Sequence, residues 1–549
     1  MLSTYTSHVD TFTRDNLPPP DMWPKFLFTL PELQYGERVN AAEALVDVPV
    51  ASGFANKTAV IAADHTWSYG QLQDAANRIA RVLTEDFGVV PGNRVLLRCF
   101  NNAMAVACWL GIVKAGAVAV ATMPLLRAVE LKAIIDKAEI SMALCDARLM
   151  EEMEAAQAQT SFMLAIVAYD KGELEERMAK KDGRFRNVAT GRDDVALLGF
   201  TSGTTGKPKA TMHFHRDVLA MTDTFARYTL RPARDEIFSG SPPLAFTYGL
   251  GVMVAFPLRF GCTVALSEHP SPDELLDTIA RHHVTTLFTA PTMYKTLVGQ
   301  VKDRDLSSLK KCVSAGEHLP HPTSDIWKEA TGIRIIDGIG ATEMTHIFIS
   351  AAGKDIRAGS TGRVVPGYEA CILDDNFQPV PPGTVGRLAV RGPTGCRYLA
   401  DERQSNYVSH GWNLTGDSFM MDEDGYFWFQ ARNDDMIVSA GYNIAGPEVE
   451  AALLSHPKVA ECAVVASPDE ARGHIVKAYV VLHSGIEGNP GLVKELQDHV
   501  KNTIAPFKYP RAVAFVSELP KTGTGKIQRF RLRQWEEEAA KYGKPTQRS

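Results

Sequence analysis

The chain lacks paired cysteines: its eight, Cys99, Cys108, Cys145, Cys262, Cys312, Cys371, Cys396 and Cys462, are scattered with no Cys-x-x-Cys spacing. That excludes a disulfide-framed fold and a cysteine zinc site, and it fits reduced thiols in a cytoplasmic protein. Long uncharged apolar runs are missing too. The longest apolar stretch, Ala103 to Leu126, is broken by Lys114, Gly111, Gly116 and Pro124, whereas a membrane span needs about 20 uncharged residues. It reads instead as a buried helix followed by a strand. There is no excess of positive charge: the net charge is −6, which offers no electrostatic case for nucleic acid or an anionic membrane as partner. The first residues carry Asp10, Arg14 and Asp15 without an apolar signal core, and Thr546 to Ser549 spell no peroxisomal address. A soluble, cytoplasmic protein is the expectation.

What is present is ordinary in bulk and specific in detail. With 549 residues, 45% of them hydrophobic and 22% charged, the chain is too long for one core, and at least two domains are expected. The central region repeats a theme of apolar strand, Gly-rich or polar turn and amphipathic helix. Val284 to Phe288 precedes Ala290-Pro291-Thr292, Lys311-Cys312-Val313 leads into Ser314 to Glu317, and Ile333 to Ile336 leads into Asp337-Gly338-Ile339-Gly340. Ser271-Pro272-Asp273-Glu274 reads as a capping box with Pro at the first helical position, and Leu275, Leu276, Ile279 and Ala280 follow as an apolar face. This alternation predicts α/β layers with parallel strands and ligands near the strands' carboxyl ends. After about Arg432 the texture changes. Alternating runs at Val459 to Val465 and Ile475 to Leu482, with a helix near Leu492 to Ile504, predict a smaller α+β domain.

The most telling stretch is Phe200-Thr201-Ser202-Gly203-Thr204-Thr205-Gly206-Lys207-Pro208-Lys209, behind the apolar run Val195 to Leu198. Glycines let a backbone approach phosphates, hydroxyls and N–H groups donate to them, and Lys207 and Lys209 supply charge. It is not a Walker A loop, because Pro208 follows Gly206-Lys207 where a Ser or Thr would be required. A second constellation, Asp337-Gly338-Ile339-Gly340-Ala341-Thr342-Glu343, sets a carboxylate beside a Gly-rich turn, where Mg²⁺ could be held together with substrate phosphates. In a third, Thr415-Gly416-Asp417, a carboxylate after a turn can accept ribose hydroxyls. The fourth, Pro520-Lys521-Thr522-Gly523-Thr524-Gly525-Lys526, is a Gly/Thr loop that presents a lysine.

These four motifs, in this order, resemble the adenylate-forming superfamily of acyl-CoA ligases, luciferases and peptide-synthetase adenylation domains, over about Ala44 to Arg529. The resemblance implies a large layered α/β N-terminal domain over residues 1–433 and a mobile α+β lid over 434–549. It implies that Thr201, Ser202, Gly203, Thr204, Thr205, Gly206, Lys207 and Lys209 cradle the β- and γ-phosphates of ATP. Thr342 would bind the α-phosphate and Glu343 would hold Mg²⁺. Ala315, Gly316, Glu317, Asp337 and Gly338 would flank the adenine, while Asp417 and Arg432 grip the ribose. Asp434 would be the hinge. Lys526 would bridge carboxylate and α-phosphate in a first half-reaction, and Gly441, Tyr442 and Asn443 would replace it beside coenzyme A for the second. The substrates implied are ATP, a carboxylic acid and CoA; a homodimer is compatible with all of this.

Many relatives carry His within a Pro-x-x-His-x-Tyr-like segment. Here the segment is Pro243-Leu244-Ala245-Phe246-Thr247-Tyr248, with Phe246 in that place. This departure, and the run from Asp337 through His346 to Phe348, look like the benzoate and 2-aminobenzoate CoA ligases. The aryl pocket would then be lined by Phe246, Thr247, Tyr248, Ile339 and His346, aromatic walls suiting a flat ring. The N-terminal segment Asp15 to Pro24 is more similar to 2-aminobenzoate ligases, and the Thr247 hydroxyl stands where benzoate ligases tend to carry Ala. The expected reaction is 2-aminobenzoate, ATP and CoA going to 2-aminobenzoyl-CoA, AMP and pyrophosphate. Benzoate is the alternative acid, and loading of an aryl acid onto a separate carrier protein is a more distant one.

Overall fold

The computed structural model describes residues 4–63, 65–162, 165–201, 208–432, 435–439, 442–469, 473–504, 506–522 and 525–542. The sequence-predicted helix and strand within Ala103 to Leu126 are Ala103–Lys114 and Val118–Thr122. Asn102 caps the helix by accepting from the Ala105 N–H, and Gly116, at φ +71°, makes the sharp turn into the strand. Lys114, fully buried on this otherwise apolar helix, is neutralised by Asp47. Among the described residues no helix is long and apolar enough to cross a membrane.

Two sheets carry the larger part of the chain. One has six strands in the order Ala165–Tyr169, Met142–Asp146, Arg94–Arg98, Val118–Thr122, Val195–Thr201 and Lys209–Phe214. It is parallel until its last pair, where Val195–Thr201 and Lys209–Phe214 run antiparallel. The other has nine strands, with a parallel centre from Thr58–Ile61 to Ile335–Gly340 and antiparallel pairs at both edges. A third, five-stranded antiparallel sheet, built around Val385–Arg391 and Trp412–Met421, was not foreseen. Its apolar runs, such as Ala370 to Leu373 and Leu388 to Val390, are only three or four residues long and so carry no clear strand period.

Beyond the third sheet, Val459–Asp469, Gly473–Leu482 and Ala512–Phe515 form a three-stranded sheet. The helices Gly446–Leu454 and Pro490–Thr503 pack against it around a core of their own. The expected strands and helix of the smaller α+β region are therefore present. The boundary placed at 433/434 lies outside the described residues. In the Pro272–His282 helix, Ser271 caps the Glu274 N–H as expected, but the Glu274 side chain accepts from Ser267 instead of closing the box.

The N-terminal segment lies across the six-stranded sheet. Trp23 packs on Phe214 with ring centroids 6.1 Å apart, and the Arg397 guanidinium lies over Phe214 (3.9 Å) and Phe26 (4.9 Å). Arg397 is fully buried and ion-paired with Asp217, which is equally buried. Burial pushes the Asp217 carboxyl up and Arg397 opposes that shift. Replacing Arg397 by Leu strands the carboxylate, and at pH 8 it is expected to cost about 3–5 kcal/mol in chemical denaturation. A loss under about 1 kcal/mol would show that the pair contributes no more than an exposed one.

Candidate active site

The strands on either side of the Gly/Ser/Thr stretch pair as an antiparallel hairpin, Thr201 opposite Lys209. Ser202, Gly203, Thr204, Thr205, Gly206 and Lys207 lie outside the described residues. Thr201 ends its strand with its hydroxyl buried and without a partner among the described residues.

Lys209 turns inward to a carboxylate. Its Nζ donates to Glu343 Oε1 at 2.8 Å and to the Tyr398 hydroxyl at 2.6 Å, and that hydroxyl donates to the same Glu343 oxygen at 2.6 Å. The ammonium also lies over the Tyr398 and Tyr407 rings, 4.8 and 5.7 Å from their centroids. Burial, with the Glu343 charge beside it, pushes the Tyr398 phenol well up, so it stays a donor. Among the described residues, both of these bonds fall on Oε1, and Glu343 Oε2 takes no hydrogen bond or ion pair.

The residues Asp337-Gly338-Ile339-Gly340 are not the turn expected from their glycines; they form the end of the Ile335–Gly340 strand, and the turn is Thr342–Met344. The glycines are needed for pairing. A Cβ on Gly338 would meet Ile347 at 2.8 Å, and one on Gly340 would meet the His346 backbone at 2.8 Å, closing the gap into which Ile347–Ser350 folds back. Gly199 plays a similar part opposite: a Cβ there would meet Thr342 Cγ2 at 2.8 Å. Thr342 is thereby seated directly on the strand that leads into the hairpin.

Asp417 is likewise on a strand, not after a turn. Gly416, at φ +78°, forms a bulge inside Trp412–Met421, where the register against Val385–Arg391 shifts. The bulge turns Asp417 toward Arg432, Oδ1 to Nη1 being 3.3 Å, and a Cβ on Gly416 would crowd that guanidinium at 3.0 Å. The two predicted ribose contacts are thus brought together.

Ala315 and Gly316 follow the Lys311–Ser314 strand, Gly316 at φ +89°. The Lys526 ammonium stands 3.8 Å from the Cβ position of Gly316. The crowding of protein in this cleft holds the Lys526 pKa below its usual value, the Glu317 charge partly offsetting it. Burial in turn pushes the Glu317 carboxyl up, against the pull of Lys526. Lys295 Nζ also donates across to the Ala460 carbonyl at 2.8 Å. Asp434 and Gly441 lie outside the described residues; Tyr442 and Asn443 belong by backbone to the Tyr442–Ala445 strand.

The five predicted aryl-pocket residues divide into neighbouring groups. Phe246 and Thr247 line a cavity with Trp109, Ala121, Gly199 and Leu250. Tyr248 and His346 meet at 5.4 Å within an aromatic cluster where His346 stacks on Phe225 (5.6 Å) and stands edge-on to Phe256 (4.6 Å). Ile339 packs against the same core. Neither His346 ring nitrogen makes a hydrogen bond among the described residues, and the Tyr248 hydroxyl is also buried without a partner. Burial pushes the His346 pKa down to about 3, the Tyr248 backbone opposing, so the ring is neutral and offers one donor and one acceptor. Buried polar groups left unpaired are uncommon and point to a ligand or to function.

Sequence reasoning missed Tyr398, Gly199 and His213. Nothing in Cys396-Arg397-Tyr398 singles out the tyrosine. A period-2 reading of Lys209-Ala210-Thr211-Met212-His213 would have put Lys209, Thr211 and His213 on one strand face.

Known proteins are similar to this chain in sequence and in fold. The family pattern described as AMP-binding enzyme matches residues 49–398, and that of the AMP-binding enzyme C-terminal domain matches 448–526. The chain is similar to a benzoate–CoA ligase of Thauera aromatica, 33% identical over 517 residues, covering 92% of this chain and 98% of that one. Its fold is similar to that of the anthranilate CoA ligase AuaEII solved with anthranoyl-AMP (TM-score 0.89, 33% identity, 93% of this chain and 100% of that chain). It is also similar to a benzoate CoA ligase from Burkholderia xenovorans LB400 (TM-score 0.82, 31% identity, 90% and 99% covered).

Asp337 supplies a pH test of the site. Burial pushes its carboxyl from 3.8 up to about 8, with the Gly338 N–H and the Thr361 hydroxyl opposing, and Oδ1 has no partner among the described residues. Between those two values the folded chain keeps a proton that the unfolded chain has released, so raising the pH through this window favours unfolding. Asp337→Asn is therefore expected to gain in melting temperature relative to the parent between pH 5 and pH 8. A difference that does not change with pH would show that Asp337 ionises normally in the fold.

Proposed function

The chain belongs to the AMP-binding enzyme family, in the aryl-CoA ligase branch of the adenylate-forming superfamily, and from that premise we propose that it joins 2-aminobenzoate to coenzyme A. The observation that carries the reading is the convergence on one cleft of Thr342, Glu343 with Lys209, the Asp417–Arg432 pair and Lys526. Each is a group that a nucleotide triphosphate and a carboxylate require.

In the first half-reaction a carboxylate oxygen of the acid attacks the α-phosphorus of ATP and pyrophosphate leaves. In the second, the CoA thiol displaces AMP from the acyl carbon. Two anions meet in the first step, and Lys526 places a positive charge between them. Thr342, seated by the absent side chain of Gly199, donates to the α-phosphate, and Asp417 accepts from the ribose. A Mg²⁺ ion fits the donor set: no cluster of three or more ligating side chains exists among the described residues, and a substrate-borne Mg²⁺ needs only one or two carboxylates. Glu343 would hold it through the oxygen that Lys209 and Tyr398 leave open, and when bound it neutralises charge on the triphosphate.

The choice of acid rests on the pocket. Thr247 puts a hydroxyl on the cavity wall, and His346 offers an unused nitrogen behind Tyr248; either orders an ortho-amino group. Anthranilate and benzoate ligases are both among the similar structures, so the acid is the point to test. AMP release and thioester mass, measured with ATP, Mg²⁺ and CoA, are expected to show a higher kcat/KM for 2-aminobenzoate than for benzoate. The opposite order would move the assignment to benzoate, and activity with neither acid would overturn the aryl reading.

Lys526→Ala is expected to lower adenylation about 10²–10³-fold while leaving thioester formation from a supplied acyl-adenylate nearly unchanged. Equal loss of both steps would show that Lys526 does not act in adenylation alone.

A further inference from the structure

The turn that carries Thr342 and Glu343 ends in an unusual residue. Thr345 sits at φ +70°, ψ −48°, and the His346 N–H donates back across it to the Met344 carbonyl at 2.9 Å. That is a γ-turn of the rare, strained kind, and a β-branched residue at positive φ is a genuine outlier. Such strain persists only where the surroundings over-determine it, and it gathers at functional sites. Here the surroundings are visible. The Thr394 hydroxyl donates to the Met344 carbonyl at 2.7 Å. The Thr345 hydroxyl lies 3.1 Å from Nδ1 of His213, which is fully buried, and the Thr342 backbone faces the same ring.

His213 stands on the strand that starts at Lys209, and side chains alternate across a strand. Lys209, Thr211 and His213 therefore share one face, and all three work against the Thr342–His346 segment or its seat. Lys209 holds Glu343, Thr211 donates to the Gly199 carbonyl at 3.1 Å beside Thr342, and His213 holds Thr345. One rigid strand thus touches both ends of the turn. On one side of the γ-turn stand the groups for the triphosphate; on the other, one residue along, stands His346 of the aryl pocket.

We propose that His213 is a positioning residue of the adenylation half-reaction. Its imidazole locks the Thr345 γ-turn through the Thr345 hydroxyl and so fixes Thr342 and Glu343 relative to His346. The inference rests on the proposed adenylation chemistry. It adds that the phosphate side and the acid side are held in register by a group that touches neither substrate.

The test is a set of full-length variants followed by acid-dependent ATP–pyrophosphate exchange and, separately, by thioester formation from a supplied acyl-adenylate. Thr345→Val keeps the shape and removes the hydroxyl; Thr345→Ser keeps the hydroxyl. Misplacement by about 1 Å costs on the order of 10²-fold. The kcat of exchange is therefore expected to fall by about that factor in Thr345→Val and to stay within about threefold in Thr345→Ser, with KM for CoA and the thioester step unmoved in both. Should the valine chain fail to fold, His213→Asn against His213→Phe carries the same comparison, because the asparagine amide reaches the Nδ1 position and phenylalanine offers no nitrogen. Equal exchange rates in Thr345→Val and Thr345→Ser, or parallel loss of exchange and thioester formation, would overturn the proposal. Thr342→Ala serves as the control: if it too leaves exchange intact, the adenylation reading itself has failed.

Discussion

The structure around the cleft depends on one ion pair, Lys209 with Glu343. A carboxylate placed where the proposed chemistry puts a triphosphate would repel it: two unit charges 4 Å apart interact by about 4 kcal/mol at an effective dielectric constant of 20. Glu343 avoids that penalty by being held on one oxygen by Lys209 and Tyr398. The half that remains faces the cleft with its repulsion reduced and its orientation fixed. Tyr398 does what a second cation could not do, adding a hydrogen bond without adding charge. Its phenol is pushed well up by burial and by Glu343, so it keeps the proton it donates. Removing either partner would leave a buried carboxylate short of hydrogen bonds, a cost that exceeds the value of the bond itself.

That pair also explains why two separate sheets must meet here. Lys209 belongs to the antiparallel edge of the six-stranded sheet and Glu343 to the turn after the Ile335–Gly340 strand of the nine-stranded one. Tyr398 comes from the segment between the strands of the third sheet. Three parts of the chain, far apart in sequence, each contribute one group. A carboxylate held by residues of different sheets cannot drift without moving a sheet, and that rigidity is what preorganised electrostatic stabilisation requires.

Much of this was legible in the sequence, and the misses have physical reasons. The motif residues were readable because backbone approach to phosphate and charge neutralisation admit few residue types. The conformations of Asp337 to Gly340 and of Gly416 were misread, both as turns, because glycine is the shared signature of a turn and of a strand that another chain segment must approach closely. Only the neighbours decide between the two: Ile347 over Gly338, and Arg432 over Gly416. Tyr398 and Thr394 were invisible because their roles come from tertiary contact across sheets, which leaves no local period. His213 lies between these cases. Its alternation with Lys209 and Thr211 is in the sequence, but the Thr345 conformation that gives it a task is not.

On the side of the cleft formed by the smaller domain the charges are of opposite sign. Lys526 enters the cleft near Gly316 with Glu317 beside it, and each shifts the other against its own desolvation. A lysine crowded by protein without a counter-ion would lose its proton more readily, and a neutral amine could not bridge two anions. The Glu317 charge offsets part of the desolvation that Lys526 meets there. On the proposed chemistry, a triphosphate that enters would bring further negative charge beside Lys526. Glu317 acts on Lys526 through its charge alone, whereas Lys209 holds Glu343 in a direct ion pair at 2.8 Å. On the proposed chemistry, substrate binding at Glu343 would meet a carboxylate already paired with Lys209 instead of desolvating a bare charge.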